Sequence, residues 1–127
     1  MNLLDRKNVF AVVGASKNEE KFGFKVFKIL KEEGYKVYPV NPNADEILDE
    51  RVYPTISDVP EKIDVVVTVV PPAVTEKIVK EVEKLKIKNV WMQPGSESEK
   101  AIKFCKEKKI NCVHSACIVF DGLKRSF

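Results

Sequence analysis

One histidine (His114), one glutamine (Gln93), one tryptophan and three cysteines (Cys105, Cys112 and Cys117) are all that 127 residues contain of those types. A lone histidine and cysteines without CxxC spacing supply neither the ligand set of a zinc site nor the even count of a disulfide scaffold, so no metal is expected. Charge of one sign is equally scarce. Twenty-two Lys and Arg against 19 Asp and Glu leave a net +3, with lysines and glutamates interleaved instead of forming a basic block, which argues against a nucleic-acid partner. No apolar run approaches the ~20 residues that span a bilayer. Residues 1–7 lack a signal peptide's apolar segment and cleavage site, so the expectation is a cytoplasmic protein with no membrane partner. Paired carboxylates and a serine nucleophile elbow are also missing, and His114, three residues from Cys117, has no third partner for nucleophilic catalysis.

What is present is the composition of an ordinary folded domain, 44% apolar and 32% charged, at a length that suits one unit over residues 1–127. The wealth of lysine and glutamate beside a single glutamine is a bias of thermophile proteins. Val9 to Val13 reads as a strand. Phe22 to Glu33 carries Val26, Ile29 and Leu30 at helical spacing before Gly34 ends the helix. Lys36 to Val40 is a second strand, broken by Asn41-Pro42-Asn43. A short helix is expected over 44–50, then an extended Val52-Tyr53 and a connection at 56–60 in which Ser57 caps a turn. Asp64 to Val70, nearly all valine, has the β-branched run of a central strand buried on both faces.

After Pro71-Pro72, Val74, Ile78, Val82 and Leu85 recur at helical steps over 73–86. Asn89 to Gln93 is a strand, Ser98 to Lys108 a helix with Ala101, Ile102 and Cys105 inward, and Ile110 to Val113 a last strand. Alternating strands and helices with short links imply an α/β fold, a five-stranded, mainly parallel sheet in order 3-2-1-4-5 with helices on both faces. The ligand crevice is expected beyond the strand ends near Val13 and Val70, with loops 14–23 and 71–73 facing each other.

The first strand-to-helix junction, Gly14-Ala15-Ser16-Lys17 through Lys21-Phe22-Gly23, is where such a fold holds a phosphate on backbone N–H groups. Two lysines beside a helix N-terminus oppose the macrodipole unless a bound anion compensates them; solvated loop lysines are the plain alternative. Eight residues separate Gly14 from Gly23, so there is no GxGxxG fingerprint, and Val40-Asn41-Pro42 stands where a dinucleotide site wants an acid. Pro71-Pro72 reads both as a helix start and, with Val70, as an apolar shelf. Gln93, Gly95 and Ser96 offer polar groups at the next strand end, with capping by Ser96 or Ser98 as the alternative.

These residues together, Val13-Gly14-Ala15-Ser16, Lys21-Phe22-Gly23, the 34–42 segment ending in Asn41-Pro42, Val70-Pro71-Pro72, Trp91-Met92-Gln93-Pro94-Gly95 and Cys117, carry a resemblance. Over nearly its whole length the chain resembles the small CoA-binding domain family related to the nucleotide-binding domain of the succinyl-CoA synthetase α subunit. The resemblance implies a single Rossmann-like three-layer domain that binds coenzyme A as its cofactor. Ser16, Lys17, Lys21 and the 14–16 amides would then face the phosphates, Asn41 the ribose or phosphate region, and Val70 to Pro72 the adenine, with the pantetheine arm running toward Gly95. Asn43 stands where many relatives have a basic residue, which removes one phosphate contact. The synthetase's phosphohistidine chemistry lies outside the matching region, so the expected function is non-catalytic binding of CoA or an acyl-CoA. Two alternatives stay open: an NAD(P)- or other nucleotide-dependent enzyme using the same crevice, and a redox-responsive thiol carrier acting through Cys117.

Overall fold

β1 (Val9–Val13) is buried because both of its neighbours are strands: Val9 to Val13 pair in parallel with Lys36 to Val40, and Phe10 to Val13 with Val65 to Thr68. The computed structural model describes residues 2–127. From β1 the chain enters α1 (Phe22–Glu32), returns through β2 (Lys36–Val40), and forms a small hairpin of β3 (Glu46–Ile47) and β4 (Glu50–Arg51). A turn of 3₁₀ helix at Ile56–Asp58 leads to β5 (Val65–Thr68), α2 (Pro72–Lys84), β6 (Asn89–Met92), α3 (Glu99–Glu107) and β7 (Asn111–Val113). One π-helical turn, Ile118–Gly122, follows.

The main sheet has five parallel strands in the order β2-β1-β5-β6-β7. The α/β class, the five-stranded parallel sheet and the winding reversal beside β1 are as the sequence predicts. The expected order 3-2-1-4-5 differs in one detail: beyond β2 lies only a single parallel bridge, Val40 to Tyr53, and the fifth full strand is β7 at the far edge. Pro54, next after Tyr53, has no N–H to continue that pairing.

Strand alternation sorts the apolar residues onto two faces. Phe10, Val12, Val65, Val67 and Trp91 pack against Val26, Phe27 and Leu30 of α1 and against Ile118 and Val119 of the π turn. Ala11, Val13, Val66, Val90 and Met92 pack against Val79 and Val82 of α2 and Ala101 and Cys105 of α3. Three layers result. Among the described residues no helix is long and apolar enough to cross a membrane.

Three local expectations are corrected. Residues 44–50 form a hairpin, not a helix, because Leu48 (φ 50°) and Asp49 (φ 63°) make a turn with two positive φ angles that lets Ile47 be buried against the α1 side. On α2, Val82 is buried and Ile78 packs partly buried against the core as expected, but the other buried residues are Thr75 and Val79, and Val74 and Leu85 are exposed. The 3₁₀ turn is capped by Thr55, paired with Asp58, and not by Ser57.

Candidate functional site

The site begins where two glycines touch. Gly14 leaves β1 with φ 97°, donates its N–H to the Val40 carbonyl (2.9 Å), and passes so close to β5 that a Cβ there would lie 2.2 Å from the Val69 oxygen. Gly23, in the first turn of α1, faces the Gly14 carbonyl, and a Cβ there would lie 2.0 Å from that oxygen. Only hydrogens at both positions let the helix start sit on the strand end. The same close approach brings Val70, the residue before Pro71, against Gly14, with Pro71 and Pro72 exposed at the start of α2.

Between the glycines the loop is held by its own short side chains. Ser16 Oγ accepts the Asn18 N–H (3.1 Å), Asn18 Oδ1 accepts the Glu20 N–H (3.0 Å), and the Asn18 carbonyl accepts the Lys21 N–H (3.0 Å). Asn41 ties the loop to the end of β2: its Nδ2 donates to the buried Ala15 carbonyl (2.7 Å) and its Oδ1 accepts the Asn43 N–H (2.8 Å). Pro42 beside it is exposed. In contrast, the backbone N–H groups of Ala15, Ser16, Lys17, Phe22 and Gly23 find no acceptor among the described residues. Lys21 occupies the N-cap of α1 without a capping side chain, the first turn holds no acidic residue, and neither Lys17 nor Lys21 has a salt-bridge partner among the described residues. Five unpaired donors and two free ammonium groups at a helix N-terminus, with Glu19 and Glu20 between the two lysines, are the groups here that could meet phosphate oxygens.

The β6 end is built differently. Gln93 is buried; its Oε1 accepts the Ile118 N–H (2.6 Å) and its Nε2 lies 3.4 Å from Cys117 Sγ. Ser96 is also buried, its Oγ within reach of Thr68 Oγ1 (2.9 Å) and of the Thr68 and Gln93 carbonyls (3.0 and 2.8 Å). Both side chains named from the sequence therefore shape the loop, and only Gly95, with φ 93° and open space where a Cβ would be, presents its surface outward. Ser98, not Ser96, caps α3 by accepting the Ala101 N–H (3.2 Å).

Sequence reasoning missed three participants. Thr68 anchors Ser96 from the neighbouring strand. Asp121 accepts the Cys117 N–H (2.7 Å), which helps turn the chain into the π turn. Glu97 accepts the N–H groups of Gly95 (2.7 Å) and Ser115 (3.2 Å). Partial burial pushes the Glu97 carboxyl upward, but its backbone hydrogen bonds outweigh that and hold it below the ordinary 4.5, so it is anionic at neutral pH. Thr68 and the Ser115 contact of Glu97 have no sequence signal because their partners lie 28 and 18 residues away, whereas Asp121 and the Gly95 contact of Glu97 are local bonds within irregular turns that no periodicity marks.

A sequence profile for the family described as "CoA binding domain" matches residues 8–122. The chain belongs to this CoA-binding domain family. ADP-forming acetate–CoA ligase II of Archaeoglobus fulgidus is 38% identical over 95 residues, which is 73% of this chain and 14% of the ligase. ADP-forming acetate–CoA ligase of Methanocaldococcus jannaschii is 42% identical over 89 residues, 70% of this chain and 13% of that protein. The chain thus spans about a seventh of the length of these curated relatives. A solved structure of a conserved hypothetical protein from Pyrococcus furiosus superposes with a TM-score of 0.83 at 40% identity, covering 87% of this chain and 96% of that one. In this CoA-binding domain the glycine-seated turn, the Pro71-Pro72 shelf and the Gly95 loop share one rim, at the carboxyl ends of β1, β5 and β6.

Proposed function

We propose that the chain binds coenzyme A or an acyl-CoA on this rim and that binding, not bond-making, is its activity. The observation that carries the reading is the set of five unpaired backbone N–H groups beside Lys17 and Lys21, on a turn whose two glycines fix its shape. The pyrophosphate sits against Ala15, Ser16, Lys17 and the first turn of α1. Val70, Pro71 and Pro72 offer the adenine a flat apolar surface, the second hydrogen of Asn41 Nδ2 reaches a ribose or phosphate oxygen, and the pantetheine arm runs toward Gly95. Membership of the CoA-binding domain family supports the ligand class. Isothermal titration with CoA, acetyl-CoA, NAD and NADP tests it: CoA binds, and Lys17→Ala/Lys21→Ala weakens it about tenfold, since charge-assisted contacts are worth ~1.5–3 kcal/mol each and these are solvent-screened. Heat from NAD or NADP and none from CoA reverses the assignment in favour of a nucleotide-dependent enzyme.

A second reading gives Cys117 a thiol role, favoured by the Gln93 amide beside its sulfur at the pantetheine end of the rim. The Cys117 thiolate attacks CoA disulfide, the S–S bond breaks, a protein–CoA mixed disulfide forms and one CoA thiolate leaves. Intact mass after incubation with CoA disulfide reports it; an adduct that survives Cys117→Ala, or none at all, removes this role.

A further inference from the structure

Three phenylalanines stand together on the surface. Phe22 is 58%, Phe120 51% and Phe127 40% exposed, and the ring of Phe127 meets the other two edge-on, with centroids 5.4 Å from Phe22 and 4.9 Å from Phe120. The rings pack on one another instead of beneath the sheet, and Phe127 also lines an open cavity of about 490 Å³ whose wall mixes Phe24 and Ile29 with five charged side chains. Contiguous exposed aromatic surface of this kind is a candidate binding surface.

Its position ties it to the rim. Phe22 is the residue before Gly23, and Gly23 rests on Gly14 at the anion-binding turn. Phe120 lies in the π turn that Gln93 grips through the Ile118 N–H, directly after Cys117. The patch therefore joins the two ends of the proposed ligand track, on the α1 side of the sheet. Its size decides between occupants. Three phenyl side chains of ~200 Å² each at these exposures offer on the order of 300 Å², well under the ~800 Å² that each partner contributes to a standard protein interface. A second copy or a partner protein is too large for it, whereas an acyl chain or an aromatic ring is not.

We infer that the ligand is an acyl-CoA whose acyl group is apolar, a medium-length aliphatic chain or an aromatic ring, seated over Phe22, Phe120 and Phe127. This rests on the CoA reading above and specifies the substrate class of that same rim. The thioester end leaves the track near Gly95 and Gln93, and the acyl group covers rings that free CoA leaves in water. Affinity then rises with buried apolar area, while the phosphate contacts stay the same.

Titration calorimetry with CoA, acetyl-CoA, octanoyl-CoA and benzoyl-CoA, on the unmodified chain and on Phe120→Ser/Phe127→Ser, tests the inference. Octanoyl- or benzoyl-CoA is expected to bind at least tenfold (about 1.4 kcal/mol) more tightly than CoA, with acetyl-CoA close to CoA. The double variant is expected to lose that advantage and keep its affinity for CoA, which also reports that it is folded. Equal affinity for all four ligands, or an advantage that survives the double variant, overturns the acyl assignment and leaves the CoA reading standing. A double variant that loses CoA as well overturns it too, because the patch then belongs to the coenzyme's own contacts. Failure of all four to bind defeats both readings. A concentration-dependent dimer in sedimentation that the double variant abolishes gives the patch to a second copy and overturns the inference.

Discussion

Gly23 shows how much a single missing methyl group can position. Its partner in contact is a carbonyl, not a flexible side chain, so Gly23→Ala must push α1 away from the end of β1. The expected outcome is a loss of at least ~2 kcal/mol in urea denaturation, in the range of strained or overpacked sites, together with loss of CoA binding, because the free N–H groups of residues 22 and 23 move with the helix. Gly95→Ala is the contrast: its surroundings are open, so only the positive φ opposes the methyl group, at roughly 1 kcal/mol. Elsewhere on the surface, Glu61 accepts the Tyr38 hydroxyl and pairs with Lys36 Nζ at 2.5 Å. The hydrogen bond from Lys36, then that from Tyr38, holds the Glu61 carboxyl below its ordinary 4.5. A carboxyl lowered in the folded state adds stability that is present above its unfolded value and disappears as pH falls through the folded one. The melting-temperature gap between the unmodified chain and Glu61→Gln is therefore expected to be small at neutral pH, since the pair is exposed, and to vanish as acid protonates the Glu61 carboxyl of the folded chain.

At the scale of elements, the parts that follow from local pattern are the ones the sequence made legible. α1 and its inward Val26, Ile29 and Leu30, the valine-rich β5, and the Gly14-to-Gly23 junction all come from spacing within one short segment, and each is where it was expected. The hairpin at 46–51 and the burial of Thr75 and Val79 in place of Val74 and Leu85 on α2 were not legible, because which side chain is buried depends on what the sheet presents to it. The π turn is the sharpest instance. Ile118–Gly122 carries no periodic signal, and its geometry depends on Gln93, 25 residues away in sequence, accepting the Ile118 N–H, and on Asp121 accepting that of Cys117. Of the predicted site residues, Gln93 and Ser96 prove to be buried and bonded within the protein, which the sequence hides because buried hydrogen-bonding side chains and ligand-binding ones have the same chemistry. Gln93→Leu tests the structural role. It leaves the buried Ile118 N–H without its acceptor, so the midpoint in urea should fall by the equivalent of about 1–3 kcal/mol with the slope unchanged.

For the whole molecule the question is how a chain of net charge +3 would select the proposed polyanionic ligand without becoming a general anion binder. Charge alone does not do it: 22 basic residues are nearly balanced by 19 acidic ones, and several lysines and arginines lie in salt bridges with Glu32, Glu33, Glu50 and Glu61. On the proposed reading, selection comes instead from geometry at the winding reversal, where β2 and β5 flank β1 and the chain passes through Gly14 into a turn whose amides lack protein acceptors. Backbone donors on a fixed turn lose little entropy when a phosphate arrives, whereas long lysine side chains must be ordered and are screened by salt. CoA affinity should accordingly fall only part of the way between 50 mM and 500 mM salt, with the Lys17→Ala/Lys21→Ala variant showing a shallower dependence than the unmodified chain. A ligand at a hundredfold its dissociation constant adds about 2.7 kcal/mol to folding, roughly 10 °C in Tm for a domain of this size. Thermal unfolding with CoA across that salt range measures both quantities. A shift that collapses completely at high salt would mean that the lysines, and not the glycine-seated amides, hold the ligand.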